Sequence, residues 1–348
     1  MLFFVGLGLE QSLSLNALKD LKKCDRVYYE SYTSPVINQD VIQELESSLG
    51  ERKVDQVKRE FVEDGRKILE AAEDSNVALL CSGDPMIATT HQELRTRAII
   101  RGIKTRVIHS SSVLCSAWGE SGLHAYNFGG VVTMTKEPMQ YTAYNTIFRN
   151  LLDGLHTTLL LEWDERSDFF LEPKSAIGSL LSAERDLKYG MLKDDSLAIV
   201  ISRLGSPDFK IRAISFQNLL VTDIGAPPHV MIIPGKLHFT EREALGALVE
   251  QSPESFSDNS SRIVRISNMM VSKYSEKTMN ALERAKMAAK SSAEKIRFSE
   301  IFENVECYTR DAQRFLNEGK HELAVLSIGY AEGLLDSLRF GGQLEFEW

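Results

Sequence analysis

The chain has 348 residues, 43% of them hydrophobic and 26% charged, with a formal net charge of -9. That is enough chain for two packed domains and a smaller third, with the composition of a globular protein. The acidic balance speaks against nucleic-acid binding, no apolar stretch is long enough to span a bilayer, and four scattered cysteines without a CxxC pair argue for free thiols rather than a metal site.

MLFFVGLGLE opens the chain without a basic stretch or a cleavage site, so it is expected as a first strand rather than a signal peptide, and the expected location is cytoplasmic. LFFVGLG, DRVYYES, NVALLCSG and KTRVIHS predict strands. LSLNALKDLKK, VIQELESSLG, the long VDQVKREFVEDGRKILEAAE and ATTHQELRTRAIIRG predict helices between them. That alternation implies a mostly parallel sheet with helices on both faces. From about residue 112 the rhythm changes. SVLCSAWGES, YTAYNTIFRNLLDG, AIGSLLSAERD and FTEREALGALVE predict helices. HAYNFGGVVTMT, TTLLLEW, SLAIVISRLG, FKIRAISFQNLL and HVMIIPGK predict strands of a mixed or antiparallel sheet. The expected division is an α/β domain over residues 1–111, a second α/β domain over 112–250, a polar linker over 251–262 and a small all-helical domain over 263–348. In the last of these, SEKTMNALERAKMAAK, FSEIFENVECYTRDAQRFLNEG and HELAVLSIGYAEGLLDSLRFG are helical, and NEGKH marks a helical hairpin.

The turns after the strands carry the chemistry. In VGLGLE, Gly6 and Gly8 suit either a tight turn or close approach to a ligand; Gln11 stands where a dinucleotide fingerprint needs glycine. In GDPMIATTH, Pro85 biases Asp84 toward an extended backbone at the mouth of the sheet, where it is either a ligand acceptor or a helix cap. Thr89 and Thr90 have the same two readings, and His91 has no sequence neighbour with which to form a triad. Ser111 and Ser112 in VIHSSSVLCSA repeat the strand–turn–helix pattern and serve equally as caps. His124 and His156, each in a Gly-Leu-His, read as structural histidines, while His229 after Pro227-Pro228 suits the edge of a pocket. No zinc ligand set, Walker loop or G-x-S-x-G is present.

Taken together and in this order, FFVGLGLE, KKCDRVYYESYTSP, GDPMIATTH, VIHSSSV, GLHAYNFG, DGLHTTLLLEW and PPHVMIIPGKLHFTE resemble the diphthine synthases, of the tetrapyrrole-methylase-like class of S-adenosylmethionine-dependent methyltransferases. The resemblance covers about residues 1 to 250. It implies two α/β domains with S-adenosylmethionine in the cleft between them, S-adenosylhomocysteine as product and usually a homodimer. It also implies methylation of the amino group of a 3-amino-3-carboxypropyl arm on a histidine of translation elongation factor 2, three times in archaeal members. By the same resemblance the cofactor contacts are Leu9, Asp84, Ile87, Ser112, Val113, Leu161, Leu204 and His229, with Asp84 orienting the cofactor, no residue as catalytic base and no metal. Glu10 and Glu162-Trp163 depart from the family's usual residues. The tail, in DAQRFLNEGKHELAVLSIGYAEGLLDSL, is similar to a small archaeal helical domain, which implies an archaeal source. Two other readings stand beside this one: a methyltransferase of the same class acting on a tetrapyrrole or corrinoid precursor, and a non-enzymatic module that senses the cofactor and recruits partners. They are separated by turnover of an added tetrapyrrole, or by cofactor binding without transfer.

Overall fold

A computed structural model of the chain describes residues 1–35, 40–289 and 291–348. It falls into two compact units, Met1–Ile263 and Val264–Trp348.

The first unit begins with five strands, β1 (Leu2–Gly6), β2 (Arg26–Glu30), β3 (Asp55–Val57), β4 (Val77–Cys81) and β5 (Thr105–Ile108). They are ordered β3-β2-β4-β1-β5 and every pairing is parallel, as the alternating pattern predicts. Every residue of β1 and β4 is buried, which suits central strands covered on both faces. The helices are α1 (Leu15–Leu21), α2 (Val41–Ser48), α3 (Arg59–Asp64), α4 (Arg66–Asp74) and α5 (His91–Ile100). Leu21, Val41 and Leu45 pack one face of the sheet, and Val62, Ile68, Leu69 and Leu94 the other.

The stretch VDQVKREFVEDGRKILEAAE, expected as one helix, is instead a strand and two helices. Its residues Asp55–Val57 pair with Tyr28–Glu30 as the edge strand. Gly65 then takes a left-handed φ of +64° and ends α3, where a side chain would meet Leu94 Cδ1 at 2.6 Å.

The second half of this unit runs α6 (Val113–Glu120), β6 (Val132–Met134), α7 (Tyr141–Leu152), β7 (Thr157–Leu161), a small hairpin of β8 (Trp163–Asp164) and β9 (Phe169–Phe170), α8 (Pro173–Leu187), β10 (Leu197–Ser202), β11 (Lys210–Ser215), α9 (Phe216–Val221), β12 (His229–Ile233) and α10 (Phe239–Val249). Its sheet, β11-β10-β12-β7-β6, is mixed as expected: β6 and β7 pair parallel and the other pairings are antiparallel. Two strand expectations are only half met. FKIRAISFQNLL turns helical at Phe216, because the Ser215 side chain accepts from Asn218 N and caps α9. HAYNFGGVVTMT starts with a 3-10 turn at Ala125–Asn127, makes a single bridge from Phe128 to His156 and runs as a strand only from Val132.

The polar segment 251–262 packs on this second sheet. Phe256 is buried, and the Asn259 amide donates to the carbonyls of Leu197 and Pro234, both at 2.9 Å, while its oxygen accepts from Leu197 N at 3.0 Å.

The other unit consists of α11 (Ile266–Ala288), α12 (Ser292–Asn317) and α13 (His321–Phe340) around Leu282, Phe298, Val305, Ile328 and Leu335. The three expected helices form, with α12 and α13 joined by the NEGKH turn; Lys290, at the end of SEKTMNALERAKMAAK, lies outside the described residues. No helix among the described residues is long and apolar enough to cross a membrane.

Candidate active site

Three turns at the carboxyl ends of adjacent strands β4, β1 and β5 are tied to one another. Gly8 N donates to Gly83 O at 3.1 Å and Gly83 N to Gly8 O at 2.9 Å. Leu9 N donates to Ser111 Oγ at 3.0 Å. Asp84 bridges across β1: one carboxylate oxygen accepts from Met86 N at 2.9 Å, the other from His109 Nδ1 at 2.8 Å and Ser110 N at 3.2 Å. Asp84 therefore locks the turns in place, in addition to any contact it makes with a ligand. The carboxyl edge of a parallel sheet is where such folds take ligands.

The opposite wall comes from the mixed sheet and the loops at its edge. Gly205, with φ +90°, passes so close to the first glycine turn that a Cβ there would lie 2.5 Å from Leu9 Cβ. Between the walls is a cavity of about 160 Å³. All eight residues expected at the cofactor, Leu9, Asp84, Ile87, Ser112, Val113, Leu161, Leu204 and His229, line it. So does Thr89, for which a ligand contact is one of the two sequence readings, and so do Gln11, Thr33, Ser34, Pro35 and Trp163, which the sequence does not single out for this role. Gln11 reaches inward, its amide donating to Ser82 Oγ at 2.7 Å.

Two buried side-chain polar atoms of lining residues, His229 Nδ1 and Trp163 Nε1, have no partner among the described residues. The other His229 nitrogen lies 3.1 Å from the Gly225 carbonyl, which can only accept, so the ring proton sits on Nε2 and Nδ1 presents a lone pair. Burial holds this imidazole below its usual range and therefore neutral. The indole N–H of Trp163 is a donor, and its ring is stacked on Phe170 with centroids 4.4 Å apart. Two residues of the largely apolar lining thus carry an unpaired buried acceptor and an unpaired buried donor.

His91 does not line the cleft. It is buried behind it, beside Glu30 and Cys81, whose ligating atoms and its own all lie within 4.8 Å of one another.

The Gly-Leu-His motifs and the PGKLH segment converge on one carboxylate that sequence spacing does not reveal, Glu241 of α10. It accepts from His124 N at 2.8 Å, Asn127 Nδ2 at 3.0 Å, His156 Nε2 at 3.2 Å and His238 N at 2.7 Å. His156 Nδ1 in turn accepts from Gly235 N at 2.9 Å. His124 and His156 are structural, as expected, with Glu241 as the partner.

Residues 1–219 match the family Tetrapyrrole (Corrin/Porphyrin) Methylases, and residues 273–344 match Protein of unknown function (DUF357). The chain is 37% identical over 250 residues to a diphthine synthase of Methanothermobacter thermautotrophicus, covering 70% of this chain and 94% of that protein. It is 38% identical over 258 residues to a diphthine synthase of Methanocaldococcus jannaschii, covering 72% and 99%. A crystal structure of diphthine synthase matches with a TM-score of 0.63 and 33% identity, over 73% of this chain and 98% of that one. With this likeness running through both walls of the cleft, the chain belongs to the tetrapyrrole methylase family and, within it, to the diphthine synthases, which are S-adenosylmethionine-dependent methyltransferases.

Proposed function

We propose that this protein transfers methyl groups from S-adenosylmethionine to the amino group of the 3-amino-3-carboxypropyl histidine of translation elongation factor 2, three times, in diphthamide biosynthesis. The observation that carries this reading is the likeness to diphthine synthases along almost their whole length. The reading includes a cytoplasmic homodimer in an archaeal cell.

S-adenosylmethionine fits the cleft on two counts. Leu9, Ile87, Val113, Leu161 and Leu204 give the cleft apolar walls. The unpaired His229 Nδ1 and Trp163 Nε1 offer the acceptor and donor that the edge of an adenine requires. We assign its binding to those five residues together with Asp84, Ser112 and His229. When bound, the cofactor supplies a methyl carbon already activated by the sulfonium. The protein is left to align the acceptor nitrogen, to exclude water and to keep that nitrogen uncharged, for which a low-dielectric cleft is well suited.

The test is mass spectrometry of elongation factor 2 carrying the modified histidine after incubation with this protein and S-adenosylmethionine. A gain of three methyl masses on that residue supports the reading, and four indicates an added ester. No gain, with S-adenosylhomocysteine binding demonstrated, removes the substrate assignment and leaves the methyltransferase.

A further inference from the structure

The cleft wall at Thr33 is backed by a buried carboxyl and imidazole with no part in the cofactor site. Glu30, the last residue of β2, and His91, the first of α5, both have fully buried side chains, with Oε1 and Nε2 3.5 Å apart. His91 Nδ1 lies 3.0 Å from the Pro85 carbonyl, so the ring proton is held there and Nε2, which has no hydrogen-bond partner among the described residues, keeps a bare lone pair. Glu30 accepts from the backbone N–H of Tyr32 at 3.0 Å, from that of Thr33 at 3.1 Å, and from the Thr33 hydroxyl. With its proton directed inward to Glu30, the Thr33 oxygen has lone pairs left for a donor in the cleft it lines.

We propose that Thr33 and Glu30 form the proton outlet for the amine being methylated, with His91 holding Glu30 ready to receive. The inference rests on the amine-methylation reading above. Each methyl added to an ammonium nitrogen releases one proton. In the proposed step the N–H proton passes to Thr33 Oγ1 as the Thr33 hydroxyl proton moves to a Glu30 oxygen. What remains is an amine with its lone pair free, an unchanged threonine, and a neutral Glu30 beside the Nε2 lone pair. The proton leaves by the reverse path when the cleft empties. Thr33, in contact with the acceptor, is the catalytic residue; Glu30 and His91 are positioning residues.

The protonation states suit this exchange. Burial pushes Glu30 up to about 7, so it takes and returns a proton near neutrality. Burial also lowers His91 to about 4 and raises the Cys81 thiol, so both face Glu30 uncharged. The remaining ionisable groups around Glu30 are Tyr29 and Tyr32 of its own segment and Glu165 of the β8–β9 turn, which Ser31 Oγ reaches at 3.3 Å.

The test measures methyl transfer to modified elongation factor 2 across pH, together with S-adenosylhomocysteine affinity by calorimetry and thermal unfolding, for wild type, T33V, T33S and E30Q. The proposal expects T33V to slow transfer by about 100-fold and T33S to restore most of the rate. It expects the affinity of both to stay within about twofold of wild type. The wild-type rate should rise through pH of about 7 and that rise should vanish in E30Q. T33V as fast as wild type, loss of binding in step with loss of rate, or an unchanged pH profile in E30Q overturns it. So does stoichiometric zinc retained by the purified protein, since the metal would take the Glu30 oxygen. Wild type that binds S-adenosylhomocysteine yet leaves the histidine untouched overturns the substrate reading and this inference with it; an active wild type beside an equally active T33V overturns this inference alone.

Discussion

Glu241 Oε1 and His156 Nε2 lie 3.2 Å apart although 85 residues separate them, and both side chains are fully buried. Burial works to raise the Glu241 carboxyl, and the hydrogen bonds from His124, His238, His156 and Asn127 outweigh it, leaving it below the usual carboxylate range. Glu241→Ala strands those donors, so a loss on the order of 3 kcal/mol is expected in urea unfolding at neutral pH. Because the folded-state value is depressed, the carboxylate's contribution is fully present above pH 4.5 and disappears as pH falls through that lower value. The gap between wild type and variant should therefore narrow in acid. A gap that stays constant with pH would show that the carboxylate's charge contributes nothing.

Glu30 and His91 act on stability in opposite directions. Glu30 keeps a proton up to about 7 that an ordinary glutamate releases near 4.5, so its contribution is present below 4.5 and is lost as pH rises through 7. His91 lacks, down to about 4, a proton that an ordinary histidine binds below 6.5, so its contribution is present above 6.5 and is lost as pH falls through 4. Glu30→Gln removes only the first effect. Relative to wild type, the variant should gain on the order of 3 kcal/mol between acid and neutral pH, a slope that denaturant titrations at several pH values resolve.

His229→Phe deletes the unpaired acceptor and should weaken S-adenosylhomocysteine binding by about tenfold. Trp163→Phe keeps the ring stacked on Phe170 but removes the donor, with an expected loss of similar size. Since burial holds His229 below the ordinary imidazole range, wild-type affinity should fall only at a pH below that at which an exposed histidine titrates, where protonation removes the acceptor. Calorimetry across pH checks all three outcomes.

Gly205→Val should damage the cleft more than the fold. The left-handed backbone at φ +90° disfavours any side chain, and the new Cβ would meet Leu9 Cβ at 2.5 Å. The expected loss of stability is about 2 kcal/mol, accompanied by a larger proportional loss of cofactor affinity as Leu9 is pushed into its own pocket. Paired melting and binding curves separate the two. Binding that survives intact would place Leu9 outside the cofactor contact.

Much of this was readable along the chain because the informative signals are local. VALLC reads as a buried strand since both of its faces are covered, and GDP follows it because a ligand edge needs a tight turn. The edge strand at Asp55–Val57 was hidden because two of its three residues are exposed and polar, and so read as helix surface. Residues joined only through the fold were beyond reach. Glu241 looks like an ordinary first-turn acid of a helix, yet it partners histidines from two distant loops. Thr33 and Trp163 reach the cleft because β2 ends beside β4 and the β8–β9 hairpin follows β7, neighbours in space that spacing does not encode.

Asn259 closes three hydrogen bonds to Leu197 and Pro234 while Phe256 is buried on the same sheet. Anyone separating the two units for expression should accordingly cut beyond Ile263. A stop at residue 255 would strip the start of β10 of its amide clamp and leave the patch that Phe256 covers open to water, so an inactive product could be mistaken for evidence that the helical unit is needed for catalysis.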